Sequence, residues 1–230
     1  MGNWRGCLLI AWAALSLGCA STTPASNRLE AFQNAQPRSL LVVPVVNQSI
    51  DVQAPTSVLA TLPYRLAELG YYVFPVNTVK TLLEYEGLYE PAEIHNRPPE
   101  DLAQLFKADA ILYVTIHQWT ARYVVLATTT EVEFSYRIVG ADGAELWSAR
   151  KQMTYNPQNN SSSGSLLADL IASAVTAAVE RAAPRYLPLT RQANREVFTS
   201  ATTGLPPGPY SPRYAEYYQA LEAEQAVLAE

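Results

Sequence analysis

Cysteine, histidine and basic charge are scarce in this 230-residue chain, and each shortage removes a class of function. Both cysteines, Cys7 and Cys19, lie within the first twenty residues, and the two histidines are His95 and His117. A domain built from the rest of the chain therefore has no disulfide, no cysteine nucleophile, no thiolate metal site and no redox pair. Two imidazoles are too few for a histidine-rich zinc centre. Lys and Arg number 16 against 21 Asp and Glu, a formal net charge of −5, and no basic cluster occurs, which argues against a nucleic-acid partner. There is no P-loop and no G-x-G-x-x-G run. The serine-rich run at residues 161–165 lacks the G-x-S-x-G elbow of a hydrolase nucleophile. No cofactor and no metal is expected.

What the chain does have begins at its amino end. Arg5 is a short positive region, and residues 8–17 (LLIAWAALSL) are apolar but too short to span a bilayer, which takes about 20 residues. Gly18 and Cys19 follow at once. The run Leu15-Ser16-Leu17-Gly18-Cys19 resembles a lipobox with its small and apolar residues exchanged before the glycine. The expectation is a signal peptide of residues 1–18 cleaved after Gly18, and lipidation of Cys19 with palmitate-type chains. One acyl chain holds a protein only marginally at ~0.8 kcal/mol per buried CH₂, so stable anchoring takes several. Loss of the leader removes only Arg5 among the charged residues and makes the mature chain one unit more acidic. The residue after the cysteine is Ala20, not Asp, which by the sorting rule of enterobacterial lipoproteins favours the outer membrane.

Residues 20–38 are polar with Pro24 and Pro37 and read as a tether lifting an α/β domain of residues 39–198 off the membrane. Residues 39–47 are a continuous apolar run, as in a strand buried on both faces, with Pro44 near its end. Residues 55–69 have helical spacing with a bend at Pro63 and a terminating Gly70, and residues 71–76 form the next strand. Asn77 is positioned to cap a helix over 78–86, and Pro98-Pro99-Glu100-Asp101 to start another. Residues 111–119 are a strand, followed by a turn or bulge before Arg122. Residues 131–138 alternate strictly, with Val132, Phe134, Tyr136 and Ile138 on one face, and the turn at 140–143 leads to a return strand at 145–151. The strongest helical stripe, at 166–183, is rich in alanine, which permits close approach of a second copy and predicts a homodimer. Beyond Pro184 the pattern fades, and residues 199–230 read as a Pro/Gly-rich arm and tail outside the core.

Four stretches in fixed order carry a resemblance: residues 70–76 (GYYVFPV), 108–119 (ADAILYVTIHQW), 143–147 (GAELW) and 204–210 (GLPPGPY). Over roughly residues 39–212 the chain resembles a family of bacterial lipoproteins of unknown function that includes a conserved antigen of Gram-negative pathogens. The resemblance implies a fold similar to the periplasmic part of the curli-secretion lipoprotein and to the amino-terminal domain of the Tol–Pal propeller protein. It brings no catalytic residues with it.

The residues themselves point the same way. His117 on a strand, Asp109 before it and the pair Glu131 and Glu133 read as surface, turn and wet-face groups more readily than as an acid–base set. Trp119, Trp147, Tyr210 and Tyr214 are the candidate partner-binding residues, since aromatics with a polar tip are enriched at interfaces. The fold expected is α/β: a mixed, mainly antiparallel sheet of about five strands covered by helices. The function expected is a non-enzymatic, periplasm-facing lipoprotein of a Gram-negative outer membrane that docks envelope protein partners. The rivals are a small-molecule or glycan binder feeding a transporter, with an aromatic pocket near Trp119 and Trp147, and a hydrolase.

Overall fold

The computed structural model describes residues 29–124, 127–156 and 185–228. The leader, Gly18, Cys19, the loop at 161–165 and the helix expected at 166–183 lie outside the described residues.

The strands are β1 (Ser39–Val42), β2 (Val46–Asn47), β3 (Tyr72–Val73), β4 (Ala110–Val124), β5 (Ala127–Gly140) and β6 (Glu145–Tyr155). They form one mixed sheet in the order β3-β1-β4-β5-β6, with β2 on β4 beyond the end of β1. The short strands pair in parallel; β4, β5 and β6 form a long antiparallel meander. Residues 39–47 are thus two strands and not one, because Pro44 has no N–H to donate and interrupts the ladder. At the sheet's start, Asp109 Oδ2 accepts from the backbone N–H of Arg38 and Ser39 and from Ser39 Oγ, each at 2.9 Å. Asp109 is therefore a clasp between β1 and β4, in keeping with its reading as a turn carboxylate.

The helices are α1 (Glu30–Ala35), α2 (Ala54–Leu59), α3 (Leu62–Glu68), α4 (Val76–Tyr85), α5 (Pro91–Asn96), α6 (Pro99–Phe106), α7 (Tyr186–Phe198) and α8 (Tyr214–Leu228). The expected bend at Pro63 is a complete break between α2 and α3. Helix α4 starts earlier than expected, with Pro75 at its N-cap and no side-chain cap; Asn77 lies inside its first turn.

Two hydrophobic layers flank the sheet. On one face Leu40, Val42, Leu112, Val114, Phe134, Tyr136 and Ile138 meet Phe32, Val58, Leu62, Leu66, Ala193 and Phe198. On the other, Leu41, Val43, Ile111, Tyr113 and Val139 meet Val79, Leu83, Ile94 and Leu102 of α4, α5 and α6. The alternation read at 131–138 holds: Val132, Phe134, Tyr136 and Ile138 are all buried.

Two boundaries shift. Residues 29–38 belong to the folded unit, because Phe32 of α1 is fully buried and packs edge-on against Tyr71 at 6.0 Å. Residues 199–218 do as well, contrary to the expected free arm. Tyr71 Oη donates to Pro206 O at 2.6 Å, Trp147 Nε1 to Thr203 O at 2.8 Å and Gly208 N to Leu69 O at 2.8 Å. Leu205 and Tyr218 are buried beneath this cover. A single returning segment of turns and irregular backbone satisfies the polar tips of two core aromatics, which is why it cannot be a free tail.

A buried hydrogen-bond chain ties the first layer together. Tyr136 Oη donates to Asn194 Oδ1 at 2.8 Å, and Asn194 Nδ2 donates to Thr61 Oγ1 at 2.8 Å. Asn194→Leu is expected to cost about 2–3 kcal/mol by orphaning the Tyr136 hydroxyl, a fall of roughly 5–10 °C in Tm. Adding Tyr136→Phe should recover part of that loss. Thermal denaturation of the two variants checks both statements.

Candidate functional site

The helical layer of α4, α5 and α6 reaches no further across its face than Tyr113 and Val139. Past that line, β4, β5 and β6 present polar side chains in register. Tyr113 opposes Arg137, and Arg137 opposes Ser148; one pair along, Thr115 opposes Ser135, and Ser135 opposes Arg150. Glu133 and Gln152 form the next pair. An open cavity of about 800 Å³ straddles β6: on the polar face it is lined by His95, Tyr113, Thr115, Ser135, Arg137 and Arg150, and on the opposite face by Leu29, Ala31, Trp147, Ala149 and Thr203.

A β-bulge shapes the site. The β4–β5 register shifts between Ile116 and Gln118, leaving His117 as the extra residue. The extra residue changes which face odd-numbered positions occupy. Trp119 thereby joins Leu112, Val114 and Ile116 in the core, while His117 turns to the polar face. The irregularity expected after Trp119 lies two residues before it.

His117 is held from both sides. Its Nδ1 lies 2.8 Å from Gln48 Oε1 and its Nε2 2.9 Å from Ser135 Oγ. Because an amide oxygen only accepts, Nδ1 carries the proton and Ser135 donates to Nε2. A serine within 2.9 Å of a histidine is the spacing of a nucleophile and its base. The third member is a neutral amide, which does not stabilise an imidazolium as a carboxylate does. Ser135 also sits mid-strand, where backbone N–H groups serve the ladder instead of an oxyanion. The chain Gln48–His117–Ser135 reads as a brace between β2, β4 and β5.

Glu133 and Arg150 form an ion pair, Nε to Oε1 at 2.7 Å. Glu133 is therefore paired with a cation and not with Glu131. His95 Nε2 donates to Pro44 O at 2.9 Å, and burial, with the Arg137 charge adding to it, lowers its pKa; the ring is neutral near pH 7. Among the described residues, no three His, Cys, Asp or Glu side chains group as a metal site, and no helix is long and apolar enough to cross a membrane.

The expected aromatic surface is redistributed. Trp119 and Trp147 are each 4% exposed. Trp119 stacks on Tyr186 at 4.7 Å, and Trp147 packs at 5.7 Å on Phe198. Both are core residues, not partner anchors. Trp147 pairs through Ile138 with Leu112, seven positions from Trp119 along β4. That is roughly 23 Å at 3.3 Å per residue, so the two do not line one pocket. Tyr214 is half-buried and donates to Gln36 Oε1 at 3.0 Å, whereas Tyr210 remains 63% exposed. Sequence reading passed over Ser135, Arg137 and Tyr113. The signal for the first two was present, as the polar positions between Val132, Phe134, Tyr136 and Ile138.

Comparison with known proteins finds relatives among bacterial lipoproteins. Lipoprotein NMB1124/NMB1162 of Neisseria meningitidis serogroup B (strain ATCC BAA-335 / MC58) is 40% identical over 136 residues, 59% of this chain and 63% of that protein. The chain thus spans somewhat under two thirds of that relative's length. The crystal structure of lipoprotein GNA1162 from Neisseria meningitidis is 38% identical with a TM-score of 0.51, covering 63% of this chain and 99% of the other. The C-terminal domain of LpoB from Salmonella enterica, 19% identical, covers 55% of this chain and 92% of its own at a TM-score of 0.38. The model of the GNA1162-like lipoproteins matches residues 29–210, nearly the whole folded unit, and the chain belongs to that family.

Proposed function

We propose that this protein is a non-enzymatic accessory lipoprotein, anchored through Cys19 in the outer membrane and facing the periplasm, that docks envelope components through the polar face of β4, β5 and β6. One observation carries the reading. The first face of the sheet is sealed by helices and by the returning arm, while the second is polar and, among the described residues, lacks an apolar cover beyond Tyr113 and Val139. Family membership supports the lipid anchor. The braced His117 and the Glu133–Arg150 pair fix the polar side chains in place, which suits recognition more than turnover. A homo-oligomer built on the alanine-rich stripe of residues 166–183 belongs to the same reading.

Two experiments test it. Cys19→Ala should leave an unprocessed precursor that incorporates no palmitate; normal processing and labelling would remove the anchor. A photo-crosslinking residue at exposed Gln152, on the polar face, should yield a discrete adduct in intact envelopes. The same residue at Tyr85, exposed on α4, should yield none. Equal adducts at both positions, or none at either, would overturn the docking face.

A further inference from the structure

Two groups on the polar face are left incomplete by the fold. Tyr113 and Arg137 are direct partners across β4 and β5, and the Arg137 guanidinium lies over the Tyr113 ring, 4.7 Å from its centre. This cation–π contact uses the plane of the guanidinium and leaves its N–H donors free at the edge. Among the described residues no carboxylate pairs with Arg137, whereas neighbouring Arg150 is held by Glu133. Tyr113 is only 3% exposed, and its hydroxyl is buried with no hydrogen-bond partner. Burial raises the Tyr113 pKa, with Arg137 opposing and Glu100 adding, so the group remains a protonated donor. An orphaned buried hydroxyl costs about 1–3 kcal/mol. Tyr113 lines the cavity, and its unsatisfied hydroxyl calls for a partner that the described residues do not supply.

We propose that Arg137 and the Tyr113 hydroxyl bind an oxyanion, carboxylate or phosphate, carried on a hydroxyl-rich body of the acidic-sugar class. The guanidinium edge offers the fork geometry that such oxyanions accept in bidentate fashion. Thr115, Ser135 and Ser148 line the same cavity and supply donors and acceptors for neutral hydroxyls. Glu133 neutralises Arg150, neutral His95 adds no charge, and Glu145 on the wall and Glu100 acting on Tyr113 offset Arg137, so the site carries no surplus positive charge: a single anionic group is taken by the Arg137 donors and a polyanion is repelled.

The inference rests on the polar face being the recognition surface, and its test is separate from the crosslinking one. The full lipidated chain in detergent is titrated calorimetrically with glucuronate, with glucose 6-phosphate and with neutral glucose. At least one acid should bind with a Kd about tenfold or more below that of glucose, and the stronger of the two identifies carboxylate or phosphate. Arg137→Gln should weaken that acid by about tenfold or more while leaving glucose unchanged. Tyr113→Phe should weaken it by about fivefold or more, with Tm unchanged or raised because the orphaned hydroxyl is gone. Equal binding of acid and glucose, full affinity in Tyr113→Phe, or no heat up to tens of millimolar would overturn the proposal. A Gln152 crosslink that persists alongside any of those results would leave the docking face standing and remove only the oxyanion site.

Discussion

A chain ending at residue 198 is expected to lose more than about 10 °C in Tm, or its cooperative unfolding transition altogether. Leu205 and Tyr218 are buried, and full burial of such side chains is worth about 1.5–3 kcal/mol each. Deletion also uncovers Leu69, Tyr71, Trp147 and Phe198, each no more than 5% exposed in the intact fold. The Tyr71 hydroxyl loses Pro206 O, the Trp147 indole loses Thr203 O, and the Gln33 amide loses Tyr217 Oη. The combined loss is at least about 5 kcal/mol, comparable to the whole stability of many domains. At 2–4 °C per kcal/mol for a chain of this size, the shift is roughly 10–20 °C. Differential scanning calorimetry of residues 20–230 against 20–198 measures it. A truncated chain melting within a few degrees of the longer one would restore the arm to the surface.

The arm was misread because its composition describes backbone conformation and not burial. A run such as GLPPGPY cannot be a helix or a central strand, and that much is true of it here. Its place on the core depends on distant partners, Trp147 at 56 positions and Tyr71 at 135, which no local pattern encodes. Helix α7 was missed for a different reason. Its buried positions are Leu189, Thr190, Ala193, Asn194, Val197 and Phe198, a proper helical stripe. Two of the six are polar, and an apolar template breaks on them. They are polar because Asn194 joins the Tyr136 hydroxyl to Thr61, and Thr190 Oγ1 donates back to Tyr186 O. Helix α1 is anchored by Phe32 alone, too little to show periodicity.

The meander was legible because burying one face and wetting the other writes a period of two into β5. The polar site lies on that same strand's wet face, so half of it was visible as Glu131, Glu133, Ser135 and Arg137. What was hidden is the register. Whether Arg137 meets Tyr113, and Ser135 meets His117, is set by pairings across β4, β5 and β6 and by the extra residue at His117. Counting alternation through that bulge puts Trp119 on the wrong face. Burial of the two tryptophans also explains why the candidate surface moves from aromatic to polar groups. Their large apolar area serves the core, and among the four residues first singled out only Tyr210 stays well exposed.

Gly208→Ala is expected to destabilise the fold by about 3 kcal/mol, well beyond the ordinary cost of filling a glycine. A Cβ at Gly208 would stand 2.4 Å from Gly70 O and 2.6 Å from Gly70 C, both backbone atoms without a rotamer to yield. Gly70 in turn has φ +91°, and a Cβ there would stand 2.3 Å from Ser211 N. The two glycines let the arm cross the end of α3 at backbone contact, where Gly208 N donates to Leu69 O and Tyr210 N to Gly70 O. Relief of the clash means lifting the arm, which breaks those bonds and the Tyr71–Pro206 bond with them. Gly87→Ala is the contrasting case: Gly87 has positive φ, at +78°, with open space around it, whereas Gly208 lies outside the left-handed region and only contact is at stake. The cost of Gly87→Ala should be only the left-handed backbone penalty of about 1–2 kcal/mol. Urea denaturation of the two variants separates conformation from contact: Gly208→Ala should fall by clearly more. If Gly208→Ala leaves stability unchanged, the crossing tolerates a methyl group, and the glycines of the GLPPGPY run are there for chain flexibility instead of close approach.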